Sequence, residues 1–287
     1  MSVDTVSLRK LIDYLLDNGV HGIWAAGTTG EFASLSVEEQ LTVIETVVDQ
    51  VAGRVPVIAN ISRASTDLSL DMAIMTQHLG LDGIAATPPY YYPHSQDELI
   101  SHYRYLHNKT ELPLWIYHIP RTVKTTVMPK TISTLTNEGS IVGIKDSSGS
   151  GELLAELNVI CEIEDIRLLK FLGTIFRIST ATTLGAHGVI PAIGNLIPKI
   201  ASSIWESGKS LDRNAAKQLN SKLIQATKLR DLPKGGGFDS TNLASMKSAL
   251  KMMGIIEHDL MSRPLRKLTD EEKHGISEIL KKLDLLN

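Results

Sequence analysis

Apolar and polar positions along this chain alternate between two periods. From Ser7 to Asn18, Leu8, Leu11, Ile12, Leu15 and Leu16 share one helical face, and Gly19 stands where a helix would end. A helix is therefore expected to open the chain. The short apolar run Gly22-Ile23-Trp24-Ala25-Ala26 follows, then a loop. Next comes Ser36-Val37-Glu38-Glu39, a capping box leading into a helix with Leu41, Ile44, Val48 and Val51 on its apolar side. The couplet then recurs. Apolar runs at Val55 to Asn60, Gly83 to Thr87, Leu112 to His118, Ile141 to Lys145, Leu168 to Leu172 and Gly188 to Ala192 read as buried strands, with helical patterns between them. Beyond Ile197 the pattern is helical throughout, including Ala244 to Met253 and Asp270 to Leu286.

Strand and helix in regular succession imply a parallel sheet, either closed as a barrel or doubly wound. About seven strands are countable, whereas a (β/α)8 barrel needs eight. Because a helix comes first, the absent strand would be the first one. The chain has 287 residues, 43% hydrophobic and 21% charged, enough to bury one large core. No linker or low-complexity seam divides it. A net charge of -3 gives no electrostatic reason to expect a nucleic acid or an anionic membrane as partner. Met1-Ser2-Val3-Asp4 begins neither a signal nor a transit peptide, and a soluble, cytoplasmic protein is expected. The single cysteine, Cys161, excludes an internal disulfide and a cysteine metal cluster.

In a parallel barrel, chemistry gathers at the carboxyl ends of the strands. Lys145 ends the run Ile141-Val142-Gly143-Ile144 and is followed by Asp146-Ser147-Ser148-Gly149. An amine held there is desolvated, which favours the neutral form able to attack a carbonyl. Gly27-Thr28-Thr29-Gly30-Glu31 follows the first run, a turn whose N–H groups and hydroxyls suit a carboxylate. Thr87-Pro88-Pro89-Tyr90-Tyr91-Tyr92 follows the third, and the fourth ends in Tyr117-His118-Ile119-Pro120. Taken singly, each has an ordinary reading, as a snorkelling lysine, a plain turn, rim packing and a strand aromatic, and for the tyrosine run and Tyr117 that reading is the stronger one. Taken together they bring an anion cradle, phenols and an amine to one end of the sheet. His102 and His107 lie five apart on a helical segment and make poor metal ligands, so neither a metal nor another cofactor is expected. Gly235-Gly236-Gly237 has no preceding strand and reads as a flexible connection.

In these motifs the chain resembles the dihydrodipicolinate synthase and N-acetylneuraminate lyase family. Gly27 to Glu31, Pro89-Tyr90-Tyr91, Tyr117 with Pro120, Gly143-Ile144-Lys145-Asp146 and Gly188-Val189-Ile190 stand in the family's order and spacing. The resemblance implies a TIM (β/α)8-type barrel over residues 1–196, here without its usual first strand, and a C-terminal helical region over 197–287. It implies a class I aldolase or lyase in which Lys145 forms a Schiff base with pyruvate or another 2-oxo acid and Tyr117 shuttles a proton. Thr28 and Tyr91 would extend the relay, with Tyr91 reaching in from a neighbouring subunit. Gly27, Thr28 and Thr29 would hold the carboxylate, and Ile190 would lie beside the bound acid. A homo-oligomer, dimer or tetramer, is implied, with Tyr90 to Tyr92 at a subunit contact.

The second substrate, an aldehyde, depends on the surroundings of the lysine. Synthases of the family carry an arginine five residues after the tyrosine, where this chain has Thr122, with Arg121 one place earlier. Neuraminate lyases place acidic residues after the glycine matching Gly173, where this chain reads Thr174-Ile175-Phe176. Ser147 is the hydroxyl residue that sugar-acid aldolases carry two positions beyond the lysine, and strand alternation puts it on the side of Lys145. The expected substrate is thus a 2-keto-3-deoxy sugar acid. Dihydrodipicolinate synthase, joining pyruvate to aspartate semialdehyde, is the alternative, and an idle binding relative is a third. No segment before Ser7 is expected to join the sheet, and an extension upstream is expected to stabilise the chain.

Overall fold

The computed structural model describes residues 2–286. The chain runs through α1 (Thr5–Asp17), β1 (Ile23–Ala25), α2 (Val37–Val51), β2 (Val57–Asn60), α3 (Thr66–Thr76), β3 (Gly83–Ala86), α4 (Gln96–Lys109) and β4 (Leu114–His118). It continues with α5 (Pro120–Val123), α6 (Pro129–Asn137), β5 (Gly143–Asp146), α7 (Glu152–Ile163), β6 (Leu169–Leu172) and β7 (Gly188–Val189). Four helices end it: α8 (Pro198–Lys209), α9 (Arg213–Thr227), α10 (Phe238–Met252) and α11 (Asp270–Lys282).

Two compact units are distinguished. One comprises Gly22–Gly27 and Ala52–Pro191 and holds every strand. Its seven parallel strands pair in chain order from β1 to β7, the curled sheet of a TIM-type barrel with β1 and β7 at its two edges. No described residue before Ser7 joins it. The sequence pattern extends the last strand to Ala192, but pairing stops at Val189 apart from one bond, from Ile190 N to Leu172 O at 2.7 Å. β7 has a neighbour on one side only, and Pro191 carries no N–H for a ladder.

One face of this sheet is built around aromatic rings. Trp115 pairs in register with Gly143, and a side chain at Gly143 would overlap the indole. Gly83 likewise faces the Trp115 Nε1 edge, with 3.3 Å for an added carbon, and Phe171 lies 5.0 Å from Trp115, ring to ring. Glycines on β3 and β5 thus leave the space that one tryptophan fills, and Trp115→Ala would cost about 3–5 kcal/mol.

The other unit comprises the described residues up to His21, Thr28–Val51 and those from Ala192 onward. Its helices are cut by local chemistry. Asp4 accepts the Ser7 N–H at 3.0 Å to start α1, whose Ile12 and Leu15 are buried. Ser36 and Glu39 cap α2 reciprocally, and Thr269 with Glu272 does the same for α11. α1 packs on α2, and α10 on α11.

Candidate active site

Parallel pairing aligns Tyr117 on β4 with Lys145 on β5 and Phe171 on β6, so all three project from one face. Lys145 is only 6% exposed. Its Nζ lies 4.3 Å from the centroid of the Tyr117 ring and 4.8 Å from that of Trp24. Burial among these rings holds the amine below the ordinary lysine pKa, while a hydrogen bond with the Tyr117 phenol pulls the other way. The result is an amine deprotonated more readily than a free lysine, with a phenol in contact. Lys170 is also buried, but it pairs with Ile144 and so lies on the opposite face.

Tyr117 is held by a small cluster with Ile119 and Val123, against which Trp24 and Tyr90 pack. Tyr90 is thus the loop tyrosine associated with Tyr117. Tyr91 points away, 85% exposed at a φ of 92° and edge-on to Tyr92 at 5.0 Å. The motifs mark the run Tyr90 to Tyr92 without separating its members, and they do not single out Trp24. Alternation along β1 was the available signal for Trp24, but nothing local said which rings it would meet.

At the carboxyl ends of the strands, backbone bonds fix the next residues. Ser147 N donates to His118 O and Gly173 N to Asp146 O, both at 2.7 Å. These place Ser147, Gly173 and Ile190 successively along the same rim. Ser147 Oγ lies where any side chain at Gly173 would have to go, so that glycine leaves room for the hydroxyl. Asp146 accepts from Ser148 N at 2.9 Å and Ser148 Oγ at 3.0 Å, which bends the chain immediately after the strand. Behind it, buried His118 has Nε2 4.0 Å from Asp146; burial lowers its pKa while Asp146 opposes the shift. Arg121 falls on the exposed side of α5, and its carbonyl accepts from Lys124 Nζ at 2.9 Å. His102 is buried with Nδ1 2.8 Å from Thr66 Oγ1, and burial lowers its pKa to about 4.

Gly27 is set by a buried chain of bonds. Thr87 N donates to Ser62 Oγ at 2.8 Å, Ser62 to Asn60 Oδ1 at 2.6 Å, and Asn60 Nδ2 to Ala26 O at 3.0 Å. Ala26 has a φ of 51°, a left-handed conformation costing about 1–3 kcal/mol for a residue with a side chain. The Asn60 bond anchors its carbonyl.

Thr28 and Thr29 form a 3-10 turn closed by Glu31 N donating to Thr28 O at 3.0 Å. Glu31 is buried, has a φ of 57°, pairs with Lys247 on α10 and accepts from Ser262 N at 2.9 Å. Burial pushes the Glu31 carboxyl up, but Lys247 and Ser262 outweigh it and the net shift is down.

The site is thus a buried lysine in contact with a tyrosine at the strand ends of a parallel TIM-type sheet. Comparison with known proteins carries the assignment further. The family model described as the dihydrodipicolinate synthetase family matches residues 1–283, and the chain belongs to that family of class I Schiff-base lyases. It is 31% identical over 285 residues to a 4-hydroxy-tetrahydrodipicolinate synthase of Pelobacter propionicus, covering 99% of this chain and 94% of that protein. It is 32% identical over 284 residues to the synthase of the same name from Thermodesulfovibrio yellowstonii, with the same coverage. The dihydrodipicolinate synthase of Bacteroides thetaiotaomicron superposes with a TM-score of 0.91 at 28% identity, covering 98% of this chain and 93% of that one. The chloride-inhibited enzyme of Acinetobacter baumannii, solved with pyruvate, gives 0.87 at 28% identity, with 99% and 94% covered. No described helix is long and apolar enough to cross a membrane.

Proposed function

We propose that this chain is a cytoplasmic, pyruvate-using lyase in which Lys145 is the nucleophile and Tyr117 the proton carrier. The observation behind it is the buried amine of Lys145 in contact with the Tyr117 phenol. The neutral amine adds to C2 of pyruvate, and Tyr117 delivers the proton with which the C2 hydroxyl leaves as water. The resulting iminium draws electrons from C3, whose proton is lost to give an enamine. The enamine adds to an aldehyde carbon, and hydrolysis of the new imine frees Lys145 and the product. Gly27, Thr28 and Thr29 hold the carboxylate, Ile190 flanks the acid, and Thr28 with Tyr91 of a neighbouring subunit relays the proton. Exposed Tyr91 and Tyr92 suit such a lending role in a dimer or tetramer.

For the aldehyde, aspartate semialdehyde comes first, since both curated relatives described above are 4-hydroxy-tetrahydrodipicolinate synthases. This reverses the order expected from sequence. The second reading is a hydroxyaldehyde released from a 2-keto-3-deoxy sugar acid, and Ser147 favours it: its hydroxyl sits against Gly173 at the rim that carries Lys145. Pyruvate with borohydride is expected to leave one three-carbon adduct, on Lys145. A screen of aldehydes against that adduct's precursor then ranks the two readings. Ser147→Ala weakens hydroxyaldehydes selectively if the second reading holds and leaves aspartate semialdehyde turnover intact if the first does. Labelling of Lys170, or of no lysine in folded protein, defeats the nucleophile assignment.

A further inference from the structure

Trp24 is the side chain around Lys145 that the Schiff-base chemistry leaves without a task. Its ring lies 5.6 Å from Tyr117 at an interplanar angle of 73° and 6.3 Å from Trp115 at 87°. These contacts fix the indole as one wall beside the amine. Its Nε1 is buried and has no hydrogen-bond partner. A buried donor left unpaired costs about 1–3 kcal/mol, and such a group in a well-packed site calls for an acceptor that arrives with the ligand.

The direction of that donor edge is visible at Gly27. A carbon added there would lie 3.2 Å from Trp24 Cδ1 and 3.6 Å from Nε1. The N–H edge therefore abuts the first residue of the Gly27 to Glu31 turn, while the ring stands over the Lys145 amine. Gly27 leaves that edge uncrowded, and the Asn60 bond to Ala26 O holds the backbone leading to it. An indole N–H donates and cannot accept, so the missing partner is an acceptor. When a 2-oxo acid is joined to Lys145 through C2, its carboxylate is bonded to the same carbon as the imine nitrogen. It is then the strongest acceptor tethered beside the indole.

We infer that Trp24 is a substrate-binding residue that donates its Nε1–H to the carboxylate of the 2-oxo acid joined to Lys145. This rests on the Schiff-base reading and assigns it an additional carboxylate donor. Trp24→Phe keeps a ring beside the amine and deletes the donor. A hydrogen bond to a charged acceptor contributes about 1.5–3 kcal/mol, so the pyruvate concentration for half-maximal borohydride adduct is expected to rise about 10- to 100-fold. The loss is expected in the pyruvate KM more than in kcat, and trapping of acetone, which lacks the carboxylate, is expected to fall far less than trapping of pyruvate. An unchanged pyruvate requirement overturns the inference, as does an equal loss for pyruvate and acetone, which marks a packing role. If acetone leaves no adduct on the wild type, the split between pyruvate KM and kcat decides: a fall in kcat at constant KM overturns it.

A measurement on unaltered protein covers the case in which the variant does not fold. ¹⁵N-labelled wild type has three tryptophans, Trp24, Trp115 and Trp205. Trapping pyruvate is expected to move the Trp24 indole N–H proton downfield, and a spectrum in which no indole moves defeats the proposal. Should the wild type fail to trap pyruvate on Lys145 at all, the Schiff-base reading itself has failed, a different result from either.

Discussion

Lys145 is buried and Lys247 half-buried, and their surroundings are opposite. Lys145, in the sheet unit, is held by burial among aromatic rings and a phenol, and its pKa falls. Lys247, in the helical unit, has a side chain 31% exposed, pairs with the Glu31 carboxylate and donates to Leu260 O at 2.7 Å. Burial without a counterion makes an amine reactive at a cost in stability; burial with one makes a structural tie. Glu31 carries that tie into the turn of Thr28 and Thr29, holding a backbone that its φ of 57° would otherwise resist.

Replacing each lysine by methionine should break the comparison most sharply. Lys145→Met is expected to abolish the pyruvate adduct and turnover completely while raising Tm near neutral pH. The sign follows from linkage. A lysine with a lowered pKa loses its proton in the folded state before the unfolded chain does, so stability rises with pH across the window below 10.5 and the folded state bears the penalty beneath it. A clear fall in Tm contradicts the desolvation argument. Tyr117→Phe should lower kcat by roughly 10²- to 10⁴-fold with adduct formation partly preserved, and full turnover removes Tyr117 from the mechanism.

Lys247→Met is expected to have the opposite thermodynamic sign to Lys145→Met. Removing one partner of a buried pair costs about 3–5 kcal/mol, and partial exposure of Lys247 reduces this to about 2 kcal/mol. Denaturant titration reads it, and the loss in the double variant Glu31→Gln with Lys247→Met should be smaller than the sum of the two single losses; strictly additive losses show that the pair is not coupled. The smallest effect is on pH dependence. Glu31 has a lowered folded pKa, so its contribution is complete above its unfolded value near 4.5 and is lost as pH falls through the folded one. Stability curves of wild type and Glu31→Gln should draw together as pH falls below 4.5 and through the lowered folded value; parallel curves leave Glu31 without this role.

The alternation of short apolar runs and helical faces located all seven strands and placed Lys145 at a strand end, because both periods are local properties of the chain. The turn Gly27 to Glu31 and the position of Tyr117 were equally legible as motifs. Tyr90 and Tyr91 were not separable: adjacent tyrosines look alike in sequence, and only packing against Ile119 and Val123 buries one and leaves the other in water. Trp24 read as one more strand residue, since its meaning lies in an edge facing Gly27 and a face over Lys145, a residue far along the chain. The same holds for the tie between Glu31 and Lys247, on segments more than two hundred residues apart (Ser262 to Glu31 spans 231). Sequence by itself determined the elements, their order and the family's chemical motifs. Tertiary structure decided which lysine loses its counterion and which keeps one, because desolvation and charge pairing act through space between residues that the chain brings together only on folding.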